Sequence, residues 1–149
     1  MEIASNGKYW GLGDRAPYTF FLKPGVYTSY ARNFHTLYET GLPPSHGLYG
    51  VHPVLFTRLV DKRFMAVFVN NANAQDWILD ETGELGLLSK YITIGGIIEM
   101  YVILGNYIEE VVRSYHEIIG RPVLVPLYGF GYHQCRWGYI NLDEIYDVY

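Results

Sequence analysis

A single cysteine, Cys135, occurs among 149 residues. An internal disulfide is thereby excluded, as are a dithiol redox pair and a zinc knuckle, each of which needs more than one thiol. Basic charge is also sparse: eleven lysines and arginines stand against fifteen acidic residues, for a net charge of −4, and nowhere do they form a run. Nucleic-acid binding and docking on an anionic membrane both call for such a run, so neither is expected. The opening "MEIASNGKYW" lacks the apolar stretch of a signal peptide, and the most apolar run, Ile92 to Leu104, is broken by Glu99 and by two glycines. No targeting or membrane-spanning segment is read from this sequence. His35, His46, His52 and His116 show no metal-ligand spacing. "GLGD" and "GFGY" lack the further glycine and the strand-to-helix context of a phosphate-cradling loop.

What is abundant is apolar and aromatic. Half of the residues are hydrophobic, enough for one domain with a sizeable core, and fifteen tyrosines dominate the aromatic set. A tyrosine packs its ring in a core, hydrogen-bonds at its tip, or stacks on a sugar face. Packing within strands is the plainer reading, since aromatics suit pleated positions.

Up to about Leu104, short apolar runs alternate with turn-forming clusters. "YTFFL" precedes "KPG" and then "VYTSYA"; "HPVLFTRLV" precedes "DK" and then "RFMAVFVN". This spacing predicts antiparallel strands in a meander or sandwich, with a tight hairpin at "DK". Proline and glycine in "ETGLPPSHG", residues 39–47, predict an exposed loop. After "KYITIGGIIEMYVILG" the period changes. "NYIEEVVRSYHEIIG" sets Ile108, Val111, Val112, Tyr115, Ile118 and Ile119 on one helical face, with Asn106 as cap, Glu109 at the capping-box position and Gly120 as terminator. "NLDEIYDVY" opens a second helix capped by Asn141, in which Asp143 and Glu144 are solvated and favoured by the helix dipole. A helix of two turns is marginal unless packed, so the sequence reads as cut inside it.

Five motifs in order carry a family resemblance: "YWGLGD", "LYGVHPV", "VNNANAQDW", "ITIGGIIEMYVILG" and "GRPVLVPLYGFGYHQCRWGY". Together they resemble glycoside hydrolase family 31, in the eukaryotic α-glucosidase and maltase branch. The resemblance implies a mainly β fold: a partial galactose-mutarotase-like β-sandwich over residues 1–105, a connecting helix and linker over 106–126, and the first strand and helix start of a (β/α)8 barrel over 127–149. Leu127 to His133 would be that first strand, and Gln134 to Tyr139 the loop leaving its C-terminal end, the face on which such barrels assemble active sites.

The implied reaction is retaining hydrolysis of terminal α-linked glucose from oligosaccharides, without metal or cofactor, in a secretory, lysosomal or extracellular setting. Retention needs two carboxyl groups about 5 Å apart. In the family both are aspartates on later barrel strands and loops, beyond Tyr149, so this segment alone is expected to be inactive and the remainder of the parent polypeptide to be its partner. The catalytic set here is therefore none. Trp137 matches an aromatic position resembling the wall beside the bound sugar, and an indole face suits a pyranose; packing beneath the barrel rim is its structural alternative. Asn33, in "SYARNF", stands where the family has an aspartate that binds sugar hydroxyls. An amide there donates and accepts but carries no charge, so it would hold a hydroxyl more weakly; a plain turn residue is the alternative. His133 and Cys135, two apart, share a face but have no third orienting group, so a structural role is expected for both, with the thiol buried and inert. Arg136 is read as pairing with a buried carboxylate or carbonyl. The rival to this whole reading is a self-standing, non-catalytic β-sandwich that binds carbohydrate.

Overall fold

The computed structural model describes residues 5–15, 19–30, 50–83, 86–135 and 138–149. Seven strands occur among them: β1 (Ser5–Gly11), β2 (Gly25–Ser29), β3 (Val54–Leu59), β4 (Phe64–Val69), β5 (Gln75–Gly83), β6 (Gly86–Thr93) and β7 (Met100–Gly105). They form two antiparallel sheets, one ordered β1-β3-β4-β7 and the other β2-β5-β6. The mainly β expectation is met.

Side-chain alternation explains the layering. In β4, Met65, Val67 and Val69 enter the core between the sheets, while Ala66 and Phe68 point the other way. Both faces are covered, which is why "FMAVFV" reads as one unbroken apolar run. On the facing sheet, the register sets Tyr27 beside Trp77 and Trp77 beside Tyr91 across three strands. Trp77 is fully buried and meets Tyr91 edge-on, ring centroids 5.4 Å apart. Such cross-strand aromatic pairs stabilise a sheet beyond the area they bury.

A helix, α1 (Ile108–Ile119), covers the outer face of the larger sheet. Val111 and Tyr115 are its buried residues and pack on Val54, Ala66, Phe68 and Ile103. The predicted face is thus half right: Ile118 and Ile119 are exposed. The cap lies one residue later than expected. Tyr107 is the N-cap, and it is Glu110, not Glu109, whose carboxylate accepts from the backbone N–H of Asn106 at 2.8 Å and of Tyr107 at 3.4 Å. With Tyr107 as N-cap, Glu110 stands at the third helical position, from which a carboxylate reaches back to the cap.

Other expectations are adjusted. "YTFFL" does not make a regular strand; Thr19–Phe21 bend, and Leu22 forms a single bridge with Tyr9. The hairpin at "DK" exists, but its connection is Val60–Arg63, with Lys62 in the left-handed region at φ 73° and Asp61 bound to Arg63 at 2.7 Å. The strand expected over Leu127–His133 is corrected: Leu127–Phe130 form a 3-10 turn closed by Gly129 N–H to the Pro126 carbonyl at 2.9 Å and Gly131 N–H to that of Tyr128 at 3.1 Å. No neighbouring strand pairs with it among the described residues, so its backbone bonds locally. The helix α2 (Leu142–Tyr146) forms as read, the Asn141 side chain accepting from the Glu144 N–H at 3.0 Å. The loop expected over 39–47 lies outside the described residues.

Candidate functional site

Four of the five motifs that carry the family resemblance meet in two pairs. Residues 11–14 of "YWGLGD" are laced to residues 50–54 of "LYGVHPV": Leu12 N–H donates to the Val54 carbonyl at 2.9 Å, Asp14 N–H to Gly50 at 3.0 Å, and His52 N–H to Gly13 at 2.7 Å. Close approach dictates the glycine. A Cβ on Gly11 would stand 2.3 Å from the Val54 carbonyl oxygen, and its φ of +104° disfavours any L side chain. Leu12, at φ 53°, is held in the left-handed region by that lacing and by complete burial.

Arg15 extends the junction. Its Nε donates to the Leu12 carbonyl at 2.6 Å, its Nη2 donates to the Thr28 carbonyl in β2, and its guanidinium lies 5.4 Å from the Tyr27 ring centroid. The Tyr27 hydroxyl donates to the Lys23 carbonyl at 2.7 Å, and burial raises its pKa against the pull of the Arg15 charge. One cation therefore ties the "GLGD" turn to the strand that leads toward Asn33.

The other pair of motifs closes similarly. The Asn71 side chain donates to the carbonyls of Gly95 at 3.0 Å and Ile97 at 3.2 Å, and accepts from Asn73 N–H at 2.8 Å. A Cβ on Gly96, at φ +84°, would fall 2.4 Å from Asn73 Nδ2. "VNNANAQDW" and "ITIGG" are thus two halves of one polar corner, anchored inward by Gln75, whose Nε2 donates to the Asn71 carbonyl at 2.9 Å and whose Oε1 accepts from Trp77 Nε1 at 3.3 Å.

His52 joins the first corner to α1, its Nε2 lying 2.6 Å from the Tyr115 hydroxyl. Burial raises the Tyr115 pKa, keeping the phenol protonated, and burial together with the charge of His116 lowers that of His52. With the imidazole neutral and Nε2 unprotonated, the phenol donates to it. Spacing along the sequence gave no hint of this bond, since its partners are far apart in the chain.

Trp137 and Asn33, the two residues expected to touch sugar, lie outside the described residues, as does Arg136. In the described residues of this segment, Gln134 Nε2 donates to the Tyr139 hydroxyl at 2.9 Å and the Tyr132 hydroxyl bonds Gln134 Oε1. His133 Nε2 is 3.1 Å from the Tyr128 carbonyl, so it faces backbone and not the thiol. Cys135 is exposed, which corrects the expectation of a buried thiol: nothing among the described residues covers this segment. Among the described residues no three His, Cys, Asp or Glu side chains gather as a metal-holding group. No helix among them is long and apolar enough to cross a membrane.

Comparison with known proteins agrees with the motifs. No family model matches the chain. The probable alpha/beta-glucosidase agdC of Aspergillus flavus is 32% identical over 146 residues, 98% of this chain and 16% of the relative. Intestinal sucrase-isomaltase of Oryctolagus cuniculus is 32% identical over 155 residues, 99% of this chain and 8% of the relative. Probable maltase-glucoamylase 2 of Homo sapiens is 32% identical over 152 residues, 97% of this chain and 6% of the relative. Its relatives are glycoside hydrolases, and this two-sheet β unit shares their sequence along almost its full length. These relatives are members of glycoside hydrolase family 31, and the chain is similar to them at about a third identity. It spans a sixth or less of the length of these relatives.

Proposed function

We propose that this chain is the later part of the N-terminal β-sandwich of an α-glucosidase, over residues 1–105, with a connecting helix and linker over 106–126 and the opening of the catalytic barrel over 127–149. The parent enzyme hydrolyses terminal α-linked glucose from oligosaccharides with retention. The observation that carries this reading is the likeness to glucosidases over 97% to 99% of the chain. Exposure along the last segment supports it: Leu124 is 91% exposed, Leu127 87% and Tyr132 88%, apolar surface that further polypeptide of the barrel would cover.

In this account the chain supplies wall and scaffold, not the reacting carboxylates. Trp137 offers its indole face to the pyranose ring, and Asn33 hydrogen-bonds a sugar hydroxyl without charge. Neither a metal nor a cofactor is required, because a carboxylate nucleophile and a carboxylic acid suffice for retention. The test uses the enzyme that carries this sequence together with its barrel. Trp137→Ala should lower kcat/KM on maltose by about tenfold or more while leaving the melting temperature within a few degrees. A large fall in melting temperature with unchanged kinetics would assign Trp137 to packing and remove it from the site.

A further inference from the structure

An aromatic cleft lies on the outer face of the larger sheet, beside the start of α1. Its volume is about 370 Å³, within the range of small-molecule sites. Trp10, Phe20, Phe21 and Phe64 wall it, Ile108 closes the helix side, and Lys8 and Arg58 stand at its rim. Trp10 is the centre of the cluster, stacked with Phe20 at 6.0 Å and meeting Phe21 and Phe64 edge-on at 6.2 and 6.3 Å. Phe20 remains 70% exposed, although a phenyl ring gains from burial.

Charge decides what the cleft can take. Lys8 Nζ lies 5.2 Å from the Phe21 centroid and the Arg58 guanidinium 5.6 Å from that of Phe64. Neither has a carboxylate partner among the described residues, and no described acid lines the cleft. A neutral sugar needs acceptors as well as donors for its hydroxyls, whereas these polar side chains offer donors only. A cationic ligand would meet two like charges. Flat aromatic walls and a donor-only cationic rim suit a ligand with a planar apolar body and an acidic head.

We propose that this cleft binds a planar aromatic anion, an arene carboxylate or sulfonate, with its ring against Trp10 and Phe20 and its acidic group between Lys8 and Arg58. The inference rests on this geometry and not on the glucosidase reading.

Equilibrium dialysis of the chain against naphthalene sulfonate, with naphthalene methanol and maltotriose in parallel, tests it. The uncharged alcohol reports any general binding to exposed apolar surface. The sulfonate should bind at one site about tenfold more tightly than the alcohol, and more weakly as salt is raised. Both rim residues are exposed, so Lys8→Gln and Arg58→Gln leave the core intact; each should weaken sulfonate binding several-fold, and together they should bring it to the level of the alcohol. Equal binding of sulfonate and alcohol, indifference to both substitutions, or displacement of the sulfonate by maltotriose would overturn the proposal.

Discussion

Gly11 and His52 show what individual residues do at the corner where two family motifs meet. An alanine at Gly11 would set its Cβ 2.3 Å from a carbonyl oxygen that cannot retreat, because the same carbonyl accepts the Leu12 N–H. Gly11→Ala should therefore cost roughly 2 kcal/mol or more in urea unfolding. Gly95→Ala, with open space around the position and no positive φ, should cost far less. His52 makes a pH prediction. Its folded pKa is lowered by burial and by His116, so the unfolded chain binds the proton more readily. The stability from this group is complete above its unfolded pKa of about 6.5 and is lost as pH falls from there through the folded value. Urea midpoints should decline between about pH 7.5 and 5, and the decline should be shallower in His52→Gln; identical slopes would show that the imidazole is not coupled to folding. The glycines could be picked out in the sequence because turn chemistry is local. The His52–Tyr115 bond could not, since it joins a loop to a distant helix.

At the scale of the element, strand runs were legible wherever one apolar stretch filled one strand, as in β4. They failed at "YTFFL", whose Phe20 and Phe21 line the outer cleft instead of pairing as a strand. Aromatic runs fit both uses, and periodicity alone does not separate them. In α1 the heptad-like pattern marked the helix but overstated its buried face. Tyr115 is almost fully buried, packs edge-on against Phe68 at 5.2 Å and bonds His52, whereas Ile119 is half exposed. Tyr115→Ala should therefore destabilise by about 3 kcal/mol, and Ile119→Ala by about 0.5 kcal/mol or less, in the same denaturant series. Equal costs would mean that the helix packs through its whole apolar stripe.

Across the whole molecule, the sheets share one core while the segment after Gly120 has no buried residue among those described. Its reading as a barrel strand came from the family motif, and an isolated strand has no partner to pair with, so local turns take its place. Trp137 and Asn33 enter the proposal only through the motifs around them, because one aromatic and one amide have no spacing signature of their own. Exposed aromatic and aliphatic side chains in that segment are a route to self-association. Ending the chain at about Gly120 should lower light scattering at high concentration and leave the cooperative unfolding of the sheets in place.

We propose that this chain is part of a glucosidase and that the carboxylate pair that breaks the glycosidic bond is not among its residues. Retention requires two such groups about 5 Å apart. Among the described acids, Asp61 is committed to Arg63, and Glu99 to Tyr101 and Asn70. The most direct measurement is glucose release from maltose by the purified chain. The expected rate is indistinguishable from the blank. Release that is abolished by substituting any carboxylate of this chain would contradict it.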